Sequence, residues 1–243
     1  MSPLETARAV HAAMPSGGLF HEKEWRIASA PFALPTGLAD ELDKLGYRLT
    51  LFLRACDQLY RQSVKGRQPA WVAELLDAGK PAELVAFQRE HGLAGDIPKV
   101  IRPDLVLTDE GFTIAEIDSV PGGIGLTDWL NKTYSELGTE VLGGADGMLR
   151  GFAEIFPGGD IVVSEEAATY LPEMEWLVRR LNGAFPEKGT WRTTDEKARS
   201  DWPSRVYRFF ELFDLANFPA APGLMERLRA KSIRVTPPFK PSL

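Results

Sequence analysis

The chain is poor in the residues that build covalent or metal-held frameworks. A single cysteine, Cys56, stands among 243 residues. One thiol closes no internal disulfide and supplies no cysteine-rich zinc site. Cys56 falls in a helical pattern and is expected in the core rather than as a nucleophile. Histidine is almost as scarce, with only His11, His21 and His91. None is spaced as in HxxxH or HExxH, so each is expected at the surface or as a cap. GxxxxGK[ST] is missing, which removes the P-loop. Ser164 follows a strand-like run, but no GxSxG surrounds it, so a hydrolase elbow is unsupported. No apolar run approaches the roughly 20 residues of a membrane span. The N-terminus, MSPLETARAVHAAM, carries early acid and no signal-type apolar core. Basic residues are not in excess: 28 Lys and Arg against 34 Asp and Glu give a net charge of −6. That balance speaks against a dominant nucleic-acid or anionic-membrane surface. The expectation is a cytoplasmic protein without nucleic-acid or membrane partners.

What the chain does have is the composition of a globular fold. Hydrophobic residues make up 44% and charged residues 26%, enough to bury a core. The central stretch is KVIRPDLVLTDEGFTIAEIDSVPGGIGLTDWLNKTY, Lys99 to Tyr134. Its β-formers lie in two runs, Val100 to Leu107 and Phe112 to Val120, so it reads as a hairpin. Asp109-Glu110-Gly111 fits a three-residue loop with Gly111 in the left-handed region. Thr108 then faces Phe112, Asp104 faces Glu116 and Arg102 faces Asp118. Side chains alternate with period two, so these four charges share one face. The opposite face takes Ile101, Leu105, Leu107, Thr113, Ala115 and Ile117. Like charges directly opposite destabilise a sheet. The Asp104–Glu116 pair therefore asks for a cation, either Arg102 or a hard divalent ion such as Mg²⁺. The plainer alternative is a wet polar face with no ligand. A two-residue loop would shift the register by one and separate Asp104 from Glu116.

Elsewhere the pattern alternates helix and strand. Residues 1–35 read as an N-terminal arm with a short helix over Leu4–Ala13. Thr36 is placed to cap a long helix whose apolar stripe runs from Leu38 to Tyr60, suited to packing across a sheet. Helices follow over Ala70–Asp77 and Ala82–Glu90. After the hairpin, Pro121-Gly122-Gly123-Ile124-Gly125 leads into a helix over Thr127–Leu137. Amides of Gly122, Gly123 and Gly125 are candidates to bind a phosphate or carboxylate. Asp128 stands where a dinucleotide fingerprint needs its third glycine. Further helices are expected over Met148–Phe156, from Leu171 to Asn182, and over Gly223–Ala230. Strands are expected over Asp160–Ser164, Arg205–Leu212 and Ser232–Thr236. Strand, loop and helix in this rhythm predict an α/β fold with a mixed sheet flanked by helices. Pro237 to Leu243 is a proline-rich segment of the kind that normally leads somewhere: either it is a tail, or the chain is a fragment of something longer.

Arg102-Pro103-Asp104 with Glu116-Ile117-Asp118 resembles the R-x-D…E-x-N signature of the glutathionylspermidine synthase-like, circularly permuted ATP-grasp ligases. The segment around Tyr170-Leu171-Pro172-Glu173-Met174-Glu175 looks like the pre-ATP-grasp region of the same family. The resemblance implies a pre-ATP-grasp-like domain over residues 36–243, with the C-terminal ATP-grasp half absent. It implies ATP-dependent joining of a carboxylate to an amine through an acyl phosphate. Arg102 would stabilise the reacting carboxyl group, and Asp104, Glu116 and Asp118 would hold Mg²⁺ with the ATP phosphates. Asp118 departs from the family's asparagine but keeps an oxygen ligand. No glycine-rich phosphate lid and no lysine pair in strand context is present, so this chain alone is expected to be inactive. The competing expectation is a non-catalytic module that binds a peptide or amino-acid-like ligand.

Overall fold

Local signals set most element boundaries. The computed structural model describes residues 1–118, 120–195 and 202–240. Helix α1 (Pro3–Ala12) starts at a capping box: Ser2 Oγ accepts from the Glu5 amide, and the Glu5 carboxylate accepts from the Ser2 amide. Helices α2 (Gly18–His21), α3 (Thr36–Val64), α4 (Ala70–Asp77) and α5 (Ala82–Gln88) follow. Each of the last three begins directly after a proline, whose fixed φ suits a helix entry. Pro35, not Thr36, occupies the cap of α3. The hairpin strands are β1 (Arg102–Thr108) and β2 (Gly111–Asp118). Then come α6 (Ile124–Glu136), α7 (Gly147–Ile155), β3 (Gly159–Val163), α8 (Leu171–Ala184), β4 (Trp191–Asp195), β5 (Arg205–Phe209), α9 (Ala221–Arg229) and β6 (Arg234–Thr236). The fold is thus mixed α/β with an antiparallel hairpin and a parallel sheet. No helix among the described residues is long and apolar enough to cross a membrane.

The chain divides into two units, neither of them contiguous in sequence. The first comprises the described residues of Met1–Ala33, Pro121–Glu196 and Pro203–Phe210. Its strands run in the order β4-β3-β5, all parallel, with Asp160 paired to Arg192 on one side and Val206 on the other. Ile161, Val162, Val206 and Tyr207 are fully buried, as expected of parallel strands covered on both faces. Helix α8 covers this sheet with Met174, Leu177 and Leu181, none of them exposed. β4 has no counterpart among the expected strands.

The N-terminal residues do not form a separate arm. Val10 and Phe20 are wholly buried in one cluster with Trp129 and Tyr134 of α6. Phe20 meets Trp129 edge-on, with ring centroids 5.8 Å apart. Trp129 Nε1 donates to the Ala13 carbonyl at 3.0 Å, and Tyr134 Oη donates to the Ala28 carbonyl at 2.7 Å. Two aromatic side chains with satisfied polar tips thus tie the first 28 residues to α6.

The second unit comprises the described residues of Leu34–Val120, Lys197–Trp202 and Glu211–Leu243. The buried residues of α3 are Leu45, Leu49, Leu53 and Ser63, a stripe narrower than expected. Phe52 and Leu59 remain 48% and 42% exposed, so they lie off it. Within this unit α3 packs along α4 rather than across a sheet. Ser63 joins the two helices: its hydroxyl donates to the Pro69 carbonyl at 2.6 Å and accepts from the Ala73 amide at 3.1 Å.

Candidate functional site

The hairpin brings the four charged residues together by a different route from the expected one. Its loop has two residues, Asp109 and Glu110, and Gly111 belongs to β2 with φ near +142°. Beside this loop Leu107 pairs with Phe112, Val106 with Thr113 and Leu105 with Ile114. That is the one-residue shift expected to send Asp104 and Glu116 to different faces. A bulge cancels it. Between Asp104 and Leu105 the partner jumps from Glu116 to Ile114, which leaves Ala115 unpaired. Beyond the bulge Asp104 faces Glu116, Pro103 faces Ile117 and Arg102 faces Asp118.

The bulge answers a change of phase in the sequence. Phe112 and Ile114 are apolar at even positions, whereas Ala115 and Ile117 are apolar at odd ones. One extra residue between them keeps Phe112 and Ile114 with Leu107 and Leu105, and Ile117 with Pro103, away from the charges. Thr113, expected among the apolar set, instead pairs with Val106.

Arg102 supplies the cation that the face requires. It forms an ion pair with Asp118, and its Nε lies 3.6 Å from Asp104 Oδ1. The other oxygen of Asp118 accepts from the Val120 amide at 3.0 Å, so both are engaged. Arg102 and Asp104 are 43% and 56% exposed, so water screens their attraction. Glu116 is exposed. Asp104, Glu116 and Asp118 do not form a metal cage: among the described residues no group of three or more His, Cys, Asp or Glu side chains is gathered to hold an ion. What remains is the facing pair Asp104 and Glu116. A pair fits the usual mode of Mg²⁺, which takes one or two carboxylates and completes its shell with water and phosphate oxygens.

The glycine loop is shaped by its neighbours in the first unit. Gly123 adopts the left-handed conformation, φ +82°, directly before α6, which begins three residues earlier than expected. A Cβ on Gly122 would lie 2.8 Å from the Tyr170 ring, and one on Gly125 would lie 2.3 Å from the Glu173 carbonyl oxygen. The amide of Gly125 donates to Glu173 Oε1 at 3.2 Å, and Glu173 is fully buried. The amide that the sequence offered to a phosphate is therefore taken by a carboxylate of the same unit. Asp128, next on α6, is also buried; its Oδ2 accepts from Trp176 Nε1 at 2.9 Å and from Arg180 Nε at 3.1 Å. Nothing in the local sequence linked Glu173, Trp176 or Arg180 to this loop.

Other sequence candidates take structural roles. His21 Nδ1 accepts from the Gly17 amide at 3.0 Å. Ser164 Oγ accepts from the Ala167 amide at 3.3 Å, closing a turn. Burial pushes the Cys56 thiol up, away from the thiolate form.

The second unit holds a polar network that sequence reasoning missed. Asp57 on α3 accepts from Lys240 Nζ at 2.7 Å, Arg61 Nε at 3.2 Å and the Gly95 amide at 3.0 Å. Burial pushes the Asp57 carboxyl up, but Lys240, the Gly95 amide and Arg61 together hold it below its ordinary value. Burial pushes the Lys240 ammonium down, which the hydrogen bond and charge of Asp57 offset in part. An isolated lysine 183 positions from its partner carries no sequence signal. No family model matches the chain, and no curated protein matches it.

Proposed function

We propose that this chain forms the N-terminal portion of an ATP-dependent carboxylate–amine ligase of the glutathionylspermidine synthase-like kind, cytoplasmic and acting through an acyl phosphate. Support comes from the register of the hairpin, which sets Arg102 opposite Asp118 and Asp104 opposite Glu116 on one face. In this role Arg102 is the fixed guanidinium that balances charge on the reacting carboxyl group. Asp118 orients it. Asp104 and Glu116 are the side chains that would hold Mg²⁺ together with ATP phosphates, and the ion would supply charge neutralisation there. The substrates are a small or peptide-like carboxylate and an amine. In this reading the glycine loop serves packing rather than phosphate binding, and the hydrogen bond from Gly125 to Glu173 supports that.

A second proposal, a binding module without turnover, is favoured by one observation: the three carboxylates are not gathered as an ion cage. The two separate in one experiment on the protein as its gene encodes it. Mn²⁺ binding is followed by electron paramagnetic resonance with and without a non-hydrolysable ATP analogue, in the wild type and in Asp104→Asn, Glu116→Gln and Asp109→Asn. The ligase proposal expects nucleotide-dependent Mn²⁺ binding that is lost in the first two variants and kept in the third. Nucleotide-independent binding, or equal binding in all four proteins, overturns it and leaves the binding module.

A further inference from the structure

The second unit also holds a pocket that no hairpin residue lines. Its enclosed part is small, about 40 Å³, and opens into about 500 Å³ of space that includes solvent. Its walls are mostly apolar, from Leu53, Tyr60, Leu76, Ile97 and Pro98, with the carboxylates of Asp57 and Asp96 also on the lining. Two ammonium groups reach it, and their surroundings differ. Lys240 is neutralised by Asp57 and also donates to the Leu93 carbonyl at 3.0 Å. Lys80 donates to the Leu76 carbonyl in the last turn of α4 and has no ion pair among the described residues. The carboxylate whose charge bears on it, Asp77, is already engaged. Asp77 accepts from Tyr60 Oη at 2.8 Å and from Gln88 Nε2 at 2.7 Å, and it pairs with Arg89. Lys80 is half-buried, and burial pushes its ammonium below the ordinary lysine value.

A half-buried ammonium that uses one of its three protons, set in an apolar wall, lacks an anion. We infer that this pocket binds a small monocarboxylate with an apolar body, its carboxylate on Lys80 and its body against Leu53, Leu76 and Ile97. An apolar floor with a few placed polar groups is the common design of a small-molecule site. The inference is independent of the ligase proposal, because no hairpin residue lines the pocket.

The test uses phenylacetate as probe and phenylacetamide as its neutral counterpart. Both are titrated into the full chain by ligand-observed NMR, and a competition arm follows acetylation of Lys80 by mass spectrometry. Phenylacetate is expected to bind saturably and to protect Lys80 from acetylation; phenylacetamide is expected to do neither. Lys80→Met is expected to weaken phenylacetate binding by about tenfold or more, while Lys65→Met, at an exposed lysine, leaves it unchanged. No phenylacetate binding, equal binding of acid and amide, or unaltered binding in Lys80→Met each overturns the inference. The acid–amide comparison needs no variant, so it decides even if Lys80→Met fails to fold.

Discussion

Replacing Gly125 by alanine sets two opposing effects against each other, and the structure decides the sign. Gly125 lies in the first turn of α6, where alanine is the better helix former by about 1 kcal/mol. Against that gain, the new Cβ would sit 2.3 Å from the Glu173 carbonyl oxygen and 2.7 Å from Glu173 Cγ. The neighbour is backbone of α8, and Met174, Leu177 and Leu181 hold that helix in the core with no exposure. Relief therefore requires moving α6 away from α8, an overpacking change of roughly 1–3 kcal/mol. The same movement breaks the buried bond from Gly125 to Glu173, leaving a carboxylate oxygen short of a donor at about 1–3 kcal/mol. The net expectation is destabilisation by roughly 1–5 kcal/mol. Gly151 in α7 is the control, since a Cβ there meets nothing within 4 Å. Gly151→Ala is expected to stabilise by up to about 1 kcal/mol. Both variants are compared in urea, with hydrogen exchange resolving α6 and α8, because two units can unfold separately. If Gly125→Ala is as stable as Gly151→Ala, the close approach of α6 and α8 is wrong.

Three further outcomes are expected. Phe20→Ala removes an edge-on partner of Trp129 and should destabilise the first unit by about 3–5 kcal/mol in urea titrations; a loss below about 1 kcal/mol would return the N-terminal residues to the status of a loose arm. Asp57 is held below its unfolded value, so its stabilisation is present above the unfolded pKa and fades as pH falls through the folded one. Asp57→Asn should therefore flatten the acid limb of the stability profile and cost on the order of 3 kcal/mol at neutral pH, by leaving Lys240 buried without its anion; an acid limb unchanged in the variant would refute this. Arg102→Ala should change thermal stability by less than about 1 kcal/mol, since the guanidinium is 43% exposed. A large loss there would mark Arg102 as a structural support of the hairpin.

Periodicity and punctuation in the sequence located most elements to within a few residues, because helices here begin after prolines and strands lie between turn residues. β4 escaped because Trp191-Arg192-Thr193-Thr194-Asp195 is short and only partly apolar, and parallel pairing with β3 supplies its stability. The hairpin face was legible although its loop was not. Gly111 invited a three-residue loop, while the change of apolar phase at Ala115 carried the signal for the bulge. The glycine loop shows the opposite case. Its pattern was plain, but its partner Glu173 lies 48 positions downstream and nothing local announced it. The Asp57–Lys240 pair is illegible for the same reason: long-range charge pairing leaves no period.

The bulge at Ala115 gives the hairpin a reading frame. Substitutions at Asp109 and Glu110 leave the facing of Asp104 and Glu116 alone, whereas a regular ladder that paired Ala115 with Asp104 would turn Glu116 and Asp118 over together. Relatives of this chain should therefore vary freely in the composition of this turn and hold the number of residues between the two carboxylates constant. Where that number falls by one, the bulge itself should be lost, since a regular ladder then sets the two carboxylates opposite each other.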